Sequence, residues 1–194
     1  MHELETARLR LRLFTPDDLD ELARIFGNPR VMRYLGKQGE PMTREETETA
    51  LLSMIAHWQR HGFGRWAVVH KEPEILIGCA GLRSFEGIAE LVYLLDQPFW
   101  GVGLATEIAR ACLRYGFEVQ QLDHIIGLAR PQNSASRHIM EKIGMRFGGE
   151  MNVFEIDVVR YTIRREDYRS DKSAFIVGSA REKTADENRK LTKT

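Results

Sequence analysis

Two glycines spaced by one residue stand where one hydrophobic period gives way to another, in Trp100-Gly101-Val102-Gly103-Leu104-Ala105-Thr106. Before them, Ala89–Leu95 alternates and is rich in aliphatic, aromatic and β-branched residues, which reads as a strand. Pro98, with no amide hydrogen to give to a ladder, ends it. After Gly103, Leu104, Ile108, Ala111 and Tyr115 recur at helical spacing. A strand therefore feeds a glycine turn, and the turn opens a helix. The first amides of a helix have no intrahelical partner and carry partial positive charge. Glycines let a ligand approach the backbone without meeting a Cβ. Such a turn suits a phosphate or pyrophosphate, although a tight connection alone accounts for the same glycines.

Two nucleotide motifs fail on inspection. A dinucleotide fingerprint needs Gly or Ala three residues after the second glycine, where this chain has Thr106. A P-loop needs Gly-Lys-Ser/Thr, and no such string occurs. Downstream, Asn133 and Ser136 form an N-x-x-S pattern followed by Arg137 and by Lys142-Ile143-Gly144-Met145. Loop and cap chemistry favours Asn and Ser at such places in any protein. His57 and His61 have the i, i+4 spacing of a two-histidine metal face. No third ligand stands near them, so they read as a solvated face and no metal is expected.

The stretch Ala89–Glu107, AELVYLLDQPFWGVGLATE, resembles the GNAT superfamily of acetyl-CoA-dependent N-acetyltransferases. It is most similar to the branch of ribosomal-protein N-terminal acetyltransferases, which carry Trp-Gly-x-Gly-x-Ala-Thr-Glu after a strand. Trp100 departs from the general Gln or Arg of the family signature but agrees with the branch. Val102 stands where relatives are often basic. The resemblance implies that the turn from Trp100 to Thr106, with Gly101, Val102, Gly103, Leu104 and Ala105 between, holds the acetyl-CoA phosphates. It implies that Tyr93, Leu94 and Leu95 line the pantetheine arm and polarise the thioester carbonyl, and that Asn133, Ser136 and Arg137 add contacts to the arm and a phosphate. Many relatives place a thiolate-protonating Tyr four residues beyond this serine. Here that residue is Met140, so Ser136 is the candidate acid.

Glu90 is the candidate general base. Alternation places it on one strand face with Val92 and Leu94, where partial desolvation would raise a carboxyl pKa towards a useful value. A solvated acid after the Glu86-Gly87 turn is the competing reading. No Cys or Ser nucleophile is paired with a His base, which agrees with direct attack of an amine on the thioester. The expected activity is acetyl transfer to a primary amine, either a protein N-terminus or a small molecule. Transfer of another acyl group, or a non-catalytic CoA-binding module, are the rivals.

The elements that must position these residues follow in order. Leu9, Leu11 and Leu13 alternate with arginines in a first strand. Thr15-Pro16-Asp17-Asp18 starts one helix, and the capping-box pair Thr43 and Glu46 starts another that stops by Gly62. Strands are expected at Arg65–His70, Ile75–Leu82, Ala89–Leu95, His124–Ala129 and Phe154–Ile163, with Met151 and Asn152 in a further one. A short helix from Ser134 or Ala135 to Ile143 closes at Gly144. The fold class is α/β (α+β), a mixed central sheet of about seven strands flanked by about four helices. One domain is expected over residues 1–169, and a polar tail over 170–194 that is disordered or loosely docked.

A chain of 194 residues suits one such domain. Its 28 basic and 28 acidic residues cancel, so there is no bulk electrostatic footprint for nucleic acid or anionic membrane. Cys79 and Cys112 sit in apolar segments without metal-ligand spacing and read as reduced core residues of a cytoplasmic protein. No apolar run spans a bilayer and the charged N-terminus lacks a signal-peptide pattern. A monomer or homodimer is expected.

Overall fold

The computed structural model describes residues 2–36, 39–170 and 176–179. Among these residues nine strands form one mixed sheet: β1 (His2–Glu5), β2 (Leu9–Arg12), β3 (Arg65–His70), β4 (Ile75–Phe85), β5 (Ile88–Leu95), β6 (His124–Ala129), β7 (Arg146–Val153), β8 (Ile156–Arg164) and β9 (Ile176–Ser179). Their order across the sheet is β7-β8-β6-β5-β4-β3-β2-β1-β9. The helices are α1 (Leu19–Phe26), α2 (Pro29–Met32), α3 (Arg44–His61), α4 (Leu104–Arg114) and α5 (Ser134–Lys142).

Local chemistry sets most boundaries. Thr43 accepts from the Glu46 amide while Glu46 accepts from the Thr43 amide, so α3 begins at the capping box, and Gly62 ends it. At the start of α1 a single 3-10 turn over Pro16–Asp18 comes first, because Asp18 folds back to accept from the Thr15 amide and from both Nη atoms of Arg12. α4 passes at Tyr115 into a π-helical turn that runs to Val119.

Two strands lie beyond the seven that the pattern of the sequence suggests. β1 has only one buried apolar side chain among its described residues, Leu4, so it carries no alternation to read; pairing with β2 makes it a strand. β9 pairs antiparallel with β1. It falls inside the segment 170–194 read as a tail, and the rest of that segment after Ser170 lies outside the described residues.

Helices cover both faces of the sheet. On one face α4 and α5 bury Leu104, Ile108, Cys112 and Met140 against Leu82, Leu91, Leu95 and Tyr161. On the other, α1, α2 and α3 bury Leu22, Ile25, Met32, Leu51 and Met54 against Ala67, Leu76 and Cys79. Odd-numbered residues of β5 join the first core, whereas Leu94 packs on the second. That alternation decides which chemical groups reach which side of the sheet.

Candidate active site

β5 and β6 are the adjacent parallel strands at the centre of the sheet, and they stay paired only briefly. Their register covers Ala89 with Ile125 and Glu90 with Ile126, and nothing further along. β5 continues to Leu95 against β4 alone. The backbone edge of residues 91–95 that faces β6 is thus left outside the ladder. Free peptide groups along a wedge between two strands can pair with an extended amide-bearing ligand, as a third strand would.

The glycine turn lies where β5 ends. Asp96 is buried, accepts from the Gln97 amide at 2.8 Å and pairs with Arg24 of α1 at 2.7 Å, which holds the one-turn 3-10 helix over Gln97–Phe99. Trp100, 45% exposed, donates its indole Nε1–H to the Leu95 carbonyl at 2.7 Å and so ties the turn back to the strand. Gly101 and Gly103 have φ of 77° and 84°, a region that costs any residue with a Cβ. Gly103 is the N-cap of α4, no side chain caps the helix, and the first helical bond is Glu107 N to Gly103 O. Among the described residues no protein acceptor takes the amides of Leu104, Ala105 and Thr106. Space beside Gly101 is open and Val102 projects into solvent, so the turn fits a pyrophosphate.

Tyr93 points from β5 towards α5. Its hydroxyl lies 3.0 Å from Ser136 Oγ and donates to the Ser136 carbonyl at 3.1 Å. Burial pushes the phenol up to about 12, although the Ser136 contact draws it the other way. It is a neutral hydrogen-bond donor at any working pH. Asn133 acts as the N-cap of α5, its Oδ1 accepting from the Ser136 amide at 3.2 Å. Arg137 makes its contacts with the Pro131 carbonyl at 3.1 Å and the Tyr161 hydroxyl at 3.4 Å, and none with the glycine turn.

Glu90 occupies the opposite face of β5. It is 3% exposed, shares that face with Val92 and Leu94, and is therefore as desolvated as the alternation implies. It is not a lone acid among apolar groups, however: Arg83 Nε of β4 donates to its Oε2 at 2.6 Å. The two-residue turn at Glu86 and Gly87 sets the β4–β5 register that places Arg83 across from Glu90. On the same sheet face lies an open trough of about 680 Å³, floored by Ile88, Ile126 and Thr162 and rimmed by His124, Arg160 and Arg164.

The structure brings Tyr93 and Ser136 together and puts Glu90 across the sheet from them. His57 and His61 stack with ring centroids 4.3 Å apart, and no group of three metal-ligating side chains occurs among the described residues. No helix among them is long and apolar enough to cross a membrane. Arg83 and the Tyr93 hydroxyl are absent from the sequence-based candidates. A two-residue turn at Glu86-Gly87 signals the first; alternation along β5, which turns Tyr93 to the helix side with Leu91 and Leu95, signals the second.

A sheet parted between two parallel strands, with a glycine turn opening a helix beside the gap, suits a ligand that joins a phosphate-bearing end to an extended amide-bearing arm, as coenzyme A does. Residues 8–146 match the acetyltransferase (GNAT) domain family. The chain belongs to the GNAT family, whose donor is acetyl-CoA. The uncharacterized N-acetyltransferase p20 of Bacillus licheniformis is 27% identical over 178 residues, spanning 87% of this chain and 99% of that protein. A GNAT-family acetyltransferase structure from Bacillus anthracis superposes with a TM-score of 0.74 at 26% identity, over 84% of this chain and 99% of the other. The ribosomal-protein-S5-alanine acetyltransferase of Vibrio fischeri has the same fold, with a TM-score of 0.71 at 19% identity, over 86% and 98% of the two chains.

Proposed function

We propose that this protein transfers the acetyl group of acetyl-CoA to a primary amine by direct attack within a ternary complex. The observation that carries this reading is the placing of Glu90 and the Tyr93–Ser136 pair on opposite faces of β5, beside the gap where β5 and β6 part. A thioester seated in that gap presents its carbonyl carbon to one face and its sulfur to the other. The α4 turn holds the phosphates, and the backbone of Tyr93, Leu94 and Leu95 beside the gap, where the Leu95 carbonyl is already taken by Trp100, orders the arm and polarises the carbonyl.

The acceptor enters from the trough. Glu90, held in place by Arg83, takes a proton from the incoming ammonium, and the neutral nitrogen attacks the carbonyl carbon. The C–N bond forms as the C–S bond breaks. The nitrogen sheds its second proton to solvent in the trough; Ser136 gives its hydroxyl proton to the leaving sulfur and takes one back from solvent, by way of the Tyr93 hydroxyl 3.0 Å away, which is re-protonated in turn. Asn133 fixes the first turn of α5 and with it the Ser136 hydroxyl. The trough has room for a protein N-terminus or for a small amine.

Supplied with acetyl-CoA and a panel of N-terminal peptides, polyamines and amino acids, the protein is expected to release free CoA thiol with at least one of them. Tight binding of acetyl-CoA with no thiol released above the rate with water alone, across all classes of amine, would refute catalysis of amine acetylation. Ser136→Ala is expected to lower kcat by about 10²-fold, the usual scale for losing an acid, with a smaller change in acetyl-CoA affinity. A loss confined to affinity would make Ser136 a contact to the arm instead.

A further inference from the structure

Arg8 stands just before β2, far from the glycine turn in the chain, yet four of its contacts converge there. Its amide donates to Glu107 Oε1 at 3.1 Å, its Nε to Glu107 Oε2 at 2.8 Å, and its Nη2 pairs with the same oxygen at 2.6 Å. Its Nη1 donates to the Val102 carbonyl at 2.9 Å. Glu107 lies in the first helical turn of α4 and is half-buried. Burial would push its carboxyl up, but hydrogen bonds from Thr6 and from the Arg8 amide and guanidinium outweigh this and hold it below its ordinary value.

The Val102 contact has a geometric consequence. A trans peptide is planar, with its carbonyl and amide pointing in opposite directions. Fixing the Val102 carbonyl on Arg8 therefore turns the Gly103 amide away from Arg8. At φ of 84° the glycine itself has little torsional preference that would do this, since it populates both signs of φ. The guanidinium is also committed: its planar fork spans Glu107 and Val102 at once, a span that a lysine ammonium does not reproduce.

We infer that Arg8, locked by Glu107, is a positioning residue that holds the Gly101–Gly103 turn in its phosphate-binding shape, and not itself the phosphate ligand. The inference rests on the proposed seat of acetyl-CoA at that turn. It predicts that loosening the lock from either side weakens the donor, and the sign of the Glu107 effect separates the two roles. Were Arg8 a direct phosphate ligand, Glu107→Gln would free its charge and tighten binding. As a positioning residue, it loses its anchor and binding falls.

The test measures acetyl-CoA dissociation constants by calorimetry for Arg8→Gln, Arg8→Lys and Glu107→Gln, together with turnover on acetyl-CoA and on S-acetylpantetheine, which lacks phosphates. All three variants are expected to bind acetyl-CoA about tenfold or more weakly, the scale of one lost charge-assisted contact. The loss of kcat/KM on acetyl-CoA should exceed the loss on S-acetylpantetheine by a similar factor. Tighter binding by Glu107→Gln, full affinity in Arg8→Lys, or equal losses on both donors would each overturn the positioning role. Failure of the parent protein to bind acetyl-CoA at all would instead remove the seat on which the inference stands.

Discussion

Glu90→Gln is expected to cost roughly 10²- to 10⁴-fold in acetyl-transfer turnover at neutral pH, the range for losing a general base. The amide keeps the shape of the carboxylate and can still accept from Arg83. Arg83 is 42% exposed, so removing its partner's charge strands no buried cation. Because Glu90 faces away from Tyr93 and Ser136, acetyl-CoA affinity should be that of the parent protein. The pH profile then reports on the acceptor. An α-amino group with pKa near 7.8 is neutral in roughly one molecule in seven at pH 7, a lysine-like amine in about one in 2,500. Alkali should rescue the variant by about pH 9 for an α-amine, and only above about pH 10 for a lysine-like amine. Turnover equal to the parent protein's across the whole pH range would show that Glu90 is not the base.

The second large effect belongs to Gly103→Val, which is expected to abolish acetyl-CoA binding in a protein that still folds. Room within the protein is not the obstacle: a Cβ added at Gly103 would lie 3.6 Å from Arg8 Nη2, an ordinary contact. What excludes valine is the φ of 84°, which a β-branched residue adopts only at a cost of about 1–3 kcal/mol. Relaxing that strain rotates the Val102–Gly103 peptide and pushes on Arg8, so the helix amides lose their common aim. Thermal unfolding gives the readout. Acetyl-CoA at a hundred times its dissociation constant stabilises the folded state by about 2.7 kcal/mol. For a chain of this length that raises the melting temperature by about 5–10 °C. The variant should show almost none of that rise, and a full rise would remove the phosphate turn from the site.

The sequence by itself determined the parts of this protein that near neighbours control. Arg65–His70 and His124–Ala129 can be read residue for residue, because each is a short apolar run, buried through its middle and bounded by turn residues. Thr43 and Glu46 mark the start of α3 because the box that caps it closes within four residues. The glycine turn and Ser136 are legible as motifs for the same reason. The family follows from one continuous stretch, Ala89–Glu107.

Tertiary structure decided which of these groups meet. β1 became a strand through pairing with β2 and β9, not through its own pattern. Ending β4 at Leu82 hides the register, and only its continuation to Phe85 sets Arg83 opposite Glu90, making an ion pair of an expected lone acid. Arg137, read from sequence as a candidate phosphate contact, hydrogen-bonds the Tyr161 hydroxyl and the Pro131 carbonyl, partners that its own segment does not name. Tyr93 and Ser136 are 43 positions apart, and Arg8 and Val102 are 94 apart. Such contacts exist only after strand order and sheet face are settled by burial of both cores. Hydrophobic burial is non-directional, so it selects a face and a layer without naming the polar pair that this brings within 3 Å.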